Sequence, residues 1–239
     1  MPRPSFPFAA ELPCCYTAAN RNERVNPLKI VCLDMEGVIA PEIWIELAER
    51  TGIDDLRRTT RDEPDYDVLM RYRLDILDSQ GIGIEALQPI IDGIEPLLGA
   101  RDFLDAIRAK HQLVILSDTF YEFVGPLMAK MGYPTLFCHR LHVNNAGRLS
   151  GYSLRMPNHK QAAVQAFQAL NFFTIAAGDS YNDTRMLGAA DAGFLFRPPQ
   201  NVIDEFPQFP VFTDYADLLA EIDAAVPLDS GADRAISAG

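Results

Sequence analysis

Carboxylates stand just beyond two apolar runs that lie far apart in the chain. Leu28-Lys29-Ile30-Val31-Cys32-Leu33 leads into Asp34, with Glu36 and Gly37 close behind, and Phe172-Phe173-Thr174-Ile175-Ala176-Ala177 leads through Gly178 to Asp179 and Asp183. Each run reads as a buried strand ended by a turn. In an open parallel sheet, ligands gather beyond the carboxyl ends of the strands, so acids remote in sequence can meet in one crevice. Hard carboxylate oxygens gathered there suit magnesium and the transfer of a phosphoryl group.

Two further features fall in order between and after these strings. The apolar run Leu113-Val114-Ile115-Leu116 ends at Ser117-Asp118-Thr119, and Lys160 opens the amphipathic stretch from Gln161 to Leu170. Singly, each has an ordinary explanation: an acid after a strand is as readily a turn or cap residue, and a lysine at a helix start a solvated charge. As an ordered set, Asp34/Glu36, Ser117, Lys160 and Asp179/Asp183 resemble the four motifs of the haloacid dehalogenase (HAD) superfamily of phosphatases. The strings LDMEGVIAPEIW, PDYDVLMRYRL, ILSDTFYEF and AAGDSYNDT resemble its phosphoserine phosphatase branch, in particular the bifunctional phosphoserine phosphatase/homoserine phosphotransferase members. The likeness spans about residues 28 to 215. Glu36 stands where most of the superfamily has Asp, and in the bifunctional subgroup Glu is expected there.

That resemblance implies an activity and a set of roles. Asp34 would be the nucleophile of an aspartyl-phosphate route, which divides a very slow phosphoester hydrolysis into two easier steps. Glu36 would protonate the leaving oxygen and then take a proton from the acceptor. Mg2+ would be held by Asp34, Asp179 and the Glu36 carbonyl, with Asp183 as ligand or close behind. Ser117 and Lys160 would hold phosphoryl oxygens. For the substrate, Glu42 would meet the ammonium group of an amino acid and Arg73 its carboxylate, which a guanidinium fork suits better than an ammonium. Tyr66, Asp118 and Met70 complete the expected substrate surroundings, while Asn182 would orient Lys160 or the phosphoryl group. The implied substrates are L-phosphoserine as donor and homoserine as acceptor, which would tie the enzyme to serine or threonine supply; a HAD phosphatase for another small phosphomonoester is the alternative.

The elements needed to position these groups are an α/β core and a helical insertion. Residues 41–95 read as helices: Ile43, Trp44, Leu47 and Ala48 share one face before Gly52, then Val68, Leu69, Tyr72, Ile76 and Leu77 form a second pattern, and residues 85–94 a third. The resemblance implies a Rossmann-like parallel sheet, the HAD core, over residues 28–40 and 96–226, with residues 41–95 as a small cap inserted after the first strand. Residues 148–154, with Gly147 and Gly151, look like a small hairpin beside the sheet. Residues 1–27, with Pro2, Pro4, Pro7 and Pro13, read as a mobile tail, and residues 227–239 as a frayed end.

Composition fits a soluble enzyme. With 239 residues, 48% of them hydrophobic, the chain can bury a substantial core. Its 33 acidic against 21 basic residues give a net charge of −12. That charge, without a basic cluster, argues against nucleic acid or an anionic membrane as partner; no stretch suits a transmembrane helix or a signal peptide. The four cysteines show no metal or disulfide spacing, which points to a reducing, cytoplasmic setting. His139 and His142 would face opposite sides of a strand, which argues against a zinc pair. A homodimer is compatible with all of this.

Overall fold

The computed structural model describes residues 28–226 apart from residues 60, 61 and 64. Both tails, residues 1–27 and 227–239, and with them two of the four cysteines, Cys14 and Cys15, lie outside the described residues.

The first strand, β1 (Lys29–Leu33), is followed by three helices, α1 (Ile43–Thr51), α2 (Tyr66–Ser79) and α3 (Ile84–Asp92), before α4 (Ala100–Arg108) returns the chain to β2 (Gln112–Phe120). Then come α5 (Tyr121–Lys130), β3 (Thr135–Val143), β4 (Leu149–Ser153), α6 (His159–Ala169) and β5 (Phe173–Gly178). A short 3-10 turn at Tyr181–Asp183 leads into α7 (Thr184–Ala189), β6 (Ala192–Phe196), α8 (Gln200–Glu205), β7 (Val211–Phe212) and α9 (Tyr215–Ala224). The seven strands form one sheet in the order β4-β3-β2-β1-β5-β6-β7, parallel except for the β3–β4 pair.

Both faces of this sheet are buried, which explains why its central strands are continuous apolar runs. Val31, Leu33, Ile115, Ile175 and Ala177 pack on one side with α4, α5 and α9, while Ile30, Cys32, Val114, Leu116 and Ala176 pack on the other with α6 and α7. Helix α1 buries Ile43, Trp44, Leu47 and Ala48 and ends at Gly52 in the left-handed conformation, as its pattern predicts. Helix α2 starts where the Asp65 carboxylate accepts the N–H groups of Asp67 and Val68.

Three expectations need correction. The buried stripe of α2 is Leu69, Met70, Arg73, Leu74 and Leu77, whereas Val68 is exposed and Tyr72 and Ile76 are half-buried; the apolar pattern alone missed the phase because the stripe includes an arginine. Strand β2 runs on through Ser117-Asp118-Thr119 to Phe120, with its pairing to β3 shifted between Leu116 and Phe120. The hairpin is larger than residues 148–154: that segment supplies β4 alone, paired with β3.

Helices α1 to α3 sit on the crossover between β1 and β2, yet Trp44, Met70, Leu77, Leu87 and Ile91 belong to the same hydrophobic cluster as the sheet. Trp44 meets Phe123 of α5 edge-on, with ring centroids 5.6 Å apart. Among the described residues no helix is long and apolar enough to cross a membrane.

Candidate active site

Strand register brings the remote motifs together. Leu33 lies between Ile115 and Ala177 in the sheet, so Asp34, the Ser117-Asp118 segment of β2 and the residues after β5 emerge side by side. The Asp34 N–H donates to the Ala177 carbonyl at 2.9 Å, carrying the β1–β5 ladder one residue into the crevice. Gly37 then turns the chain at φ 78°, and a Cβ there would run into the Asp179 carboxylate.

Lys160, at the start of α6, is the center of the cluster. Its Nζ lies 2.9 Å from Asp34 Oδ1, 2.8 Å from Asp183 Oδ1 and 3.3 Å from Asp118 Oδ2. It is buried, as are Asp34, Asp179 and Asp183. Asp183 is fixed by its own turn, its Oδ2 accepting the N–H groups of Asp179 and Ser180 at 3.1 and 3.2 Å. Gly178 makes room for it, since a Cβ there would overlap the Asp183 side chain. Ser117 Oγ accepts the Thr119 N–H at 3.2 Å, which leaves its hydroxyl proton to donate elsewhere.

Electrostatics show what this cluster lacks. Burial, then the charges of Asp183 and Asp179, hold Asp34 well above the usual carboxylate range against the pull of Lys160. Asp179 is pushed up to about 7 by burial, then by Asp183 and Glu42. Three buried carboxylates with ligand oxygens within 4.8 Å of one another face one ammonium. Such a set of hard oxygens, short of positive charge, fits a small divalent cation.

Glu36 lies beside this cluster, its Oε1 accepting the Ile43 N–H at 2.8 Å. Burial, then the charge of Glu42, raise it to about 8 despite that bond and despite Arg73 and Lys160. The shift favors the protonated form, the one a proton donor needs. Glu42 stands at the N-terminus of α1, where its charge acts on Glu36, Asp179 and Arg73.

Arg73 is buried, with its guanidinium 4.6 Å over the Trp44 ring. One terminal nitrogen donates to the Arg58 carbonyl at 2.7 Å and the other lies 3.8 Å from Met70 Sδ, while Nε has no hydrogen-bond partner among the described residues. Burial lowers it to about 10, a shift opposed by Tyr66, Glu36 and Glu42. The Tyr66 hydroxyl donates to the Asp118 carbonyl at 3.0 Å, and Asn182 Nδ2 to Asp118 Oδ2 at 2.7 Å. Of the two orientations expected for Asn182, its contact runs toward Lys160, through Asp118.

Asp34, Asp118, Lys160, Asp179, Asn182 and Asp183 thus meet in one crevice, and Glu36, Glu42, Tyr66 and Arg73 lie near enough for their charges to act on one another. Sequence reasoning missed Trp44 and the Arg58 carbonyl as supports of Arg73, and His139 and His159 as partners of Asp118; only the position of His159 next to Lys160 could have hinted at the last. A cavity of about 760 Å³, lined in part by Asp118, His159, Lys160 and Asn182, opens beside the cluster.

A mostly parallel α/β sheet with acids and a buried lysine beyond its strand ends defines a hydrolase-type crevice, and the haloacid dehalogenase-like hydrolase family matches residues 40–188. The chain belongs to this family. The match takes in Ser117, Lys160, Asp179 and Asp183 and begins after Asp34 and Glu36. The chain is 55% identical over 194 residues to phosphoserine phosphatase ThrH of Pseudomonas aeruginosa, covering 81% of this chain and 95% of that one. It is also 55% identical over 194 residues to a phosphoserine phosphatase of Pseudomonas syringae pv. tomato, covering 81% and 82%. Its fold matches a solved phospho-aspartyl intermediate analogue of phosphoserine phosphatase with a TM-score of 0.66 at 20% identity, over 81% of this chain and 98% of that one.

Proposed function

We propose that the protein is a Mg2+-dependent L-phosphoserine phosphatase that works through a phosphoryl group on Asp34 and can pass that group to homoserine. The observation that carries this reading is one buried crevice holding Asp34 and Lys160 together with Arg73, whose Nε has no partner among the described residues and lies in the field of Glu36 and Glu42. A substrate carboxylate would satisfy that orphaned donor, and its ammonium group would meet Glu42. The two relatives named as phosphoserine phosphatases support the same choice.

The chemistry follows from the residues. Asp34 attacks phosphorus, the bond from phosphorus to the serine oxygen breaks, and Glu36 gives its proton to that oxygen. Serine leaves with Glu36 ionised, which readies the same carboxylate as a base. Water or the homoserine hydroxyl then attacks phosphorus, its proton passes to Glu36, and the Asp34 carboxylate is released. Ser117 and Lys160 hold the phosphoryl oxygens throughout. Asp34, Asp179, Asp183 and the Glu36 carbonyl would hold Mg2+, which when bound draws charge from the phosphoryl oxygens.

Residues 41–95 would act as the cap: they carry Glu42, Tyr66 and Arg73 and close over the crevice. The extra methylene of Glu36 relative to Asp holds an activating water less tightly, so an alcohol acceptor competes better. A reducing, cytoplasmic setting agrees with Cys32 and Cys138, both buried and unbridged. Phosphate release from a panel of phosphomonoesters tests the reading: phosphoserine should have the highest kcat/KM, and a clear preference for a substrate without an amino-acid end would favor the alternative of another small phosphomonoester.

A further inference from the structure

Asp118 follows Ser117 where β2 slips in its pairing with β3, and five groups converge on it. Its Oδ1 faces His159 Nε2 at 3.0 Å and His139 Nε2 at 3.4 Å. Its Oδ2 accepts Asn182 Nδ2 at 2.7 Å and meets Lys160 Nζ at 3.3 Å, while its backbone carbonyl accepts the Tyr66 hydroxyl. Both histidines are buried, with ring centroids 4.5 Å apart.

The protonation pattern can be worked out from these contacts. His139 Nδ1 accepts the Arg155 N–H at 3.2 Å, so a neutral ring carries its proton on Nε2 and donates it to Asp118. That tautomer cannot also ligate a metal through Nε2, which argues against reading Asp118, His139 and His159 as a transition-metal site. Burial depresses His159, favoring the neutral ring, and a neutral His159 donating through Nε2 leaves Nδ1 without a partner, as observed among the described residues. Burial alone would raise Asp118, but Lys160, His139 and His159 together hold it well below the usual range. Two Nε2–H groups therefore orient this carboxylate.

Lys160 has three acidic neighbors, and two of them, Asp34 and Asp183, are committed elsewhere in the proposed mechanism. We propose that Asp118, oriented by His139, His159 and Asn182, is the positioning residue that keeps Lys160 aimed at the phosphoryl oxygens when Asp34 carries the phosphoryl group and Asp183 would share its charge with a bound cation. This revises the expected role of Asp118 from substrate contact to support of Lys160, and it rests on the phosphatase reading above.

The test uses the full chain and its Asp118→Asn, His159→Ala and His159→Gln variants, each checked for folding by thermal melting. Affinity for inorganic phosphate with Mg2+ present is measured by calorimetry, and kcat and KM are measured on 4-nitrophenyl phosphate. In Asp118→Asn one edge must set an N–H against another donor, so phosphate affinity and kcat should each fall about 10- to 100-fold, as for loss of a charged hydrogen bond. His159→Ala should do the same in milder form, and His159→Gln, whose amide restores an N–H, should recover most of the loss. Wild-type phosphate affinity in folded Asp118→Asn or His159→Ala would overturn the proposal, as would a His159→Gln no better than His159→Ala. Should Asp118→Asn not fold, the two His159 variants decide. The calorimetric arm needs no turnover: a wild-type protein that cleaves no phosphomonoester would sink the phosphatase reading, while phosphate affinity would still report on Lys160.

Discussion

Replacing Glu36 with Gln separates the two halves of the reaction. With Glu36 raised to about 8, roughly nine in ten molecules carry the proton at pH 7, against about three in a thousand for an ordinary glutamate. The site therefore raises the population of the proton-donating form far above that of an ordinary glutamate. Since the protonated form is the active one in the first step, kcat/KM for phosphoserine should fall as Glu36 ionises, at a pH above the ordinary glutamate range but below the cation-free value of about 8, because a bound cation favors the carboxylate. Glu36→Gln keeps the shape but cannot exchange the proton. On 4-nitrophenyl phosphate, whose leaving group needs no acid, Asp34 should still accept the phosphoryl group. The second half, which needs a base, should slow by about 10²–10⁴. Stopped-flow absorbance should then show a burst of nitrophenolate close to one equivalent of enzyme, followed by a slow steady state. Steady turnover at the wild-type rate without a burst would refute the assignment, and an equal loss of both phases would make Glu36 structural.

Further outcomes follow from the same geometry. Asp34→Asn should fold normally and lose many orders of magnitude in turnover, and a folded variant keeping more than about a few per cent of activity would exclude Asp34 as nucleophile. EDTA should abolish activity and Mg2+ restore it, whereas Ca2+, which prefers a larger and looser oxygen shell, should support little turnover. Asp179 at about 7 and Glu36 at about 8 are raised in the fold, so without a cation their contribution to stability is present at low pH and lost as pH climbs through those values. The rise in Tm on adding Mg2+ should thus be larger at pH 8 than at pH 5.5; the opposite trend would remove these acids from the metal's surroundings. Arg73→Ala should cost about 2–4 kcal/mol in kcat/KM for phosphoserine while sparing an aryl phosphate; equal damage to both would make Arg73 structural.

The candidate crevice was legible in the sequence because parallel strands buried on both faces appear as apolar runs, and the acids sit where those runs stop. Asp34 and Asp179 are of this kind, while Ser117 ends an apolar run inside a strand that continues to Phe120, and the sheet register makes the three runs neighbors. Lys160 was legible by order alone. What could not be read was whatever depends on side chains meeting across elements. Arg73 disguised the buried stripe of α2, since a buried guanidinium over Trp44 has the sequence signature of a solvated one. His139 on β3 and His159 on α6 meet only through the β2 carboxylate between them. Helix α4, though amphipathic, and the elements β6 to α9 carry no chemistry in their motifs and were found by their packing, not their residue types.

One incubation tests the central claim most directly: purified protein with L-phosphoserine, Mg2+ and homoserine, followed by quantifying serine, free phosphate and phosphohomoserine. The account predicts that serine appears at a rate equal to the combined appearance of the other two, with phosphohomoserine rising at the expense of phosphate as homoserine is increased. Absence of serine release would contradict the phosphatase assignment, and serine release with no phosphohomoserine at any homoserine concentration would contradict the transfer.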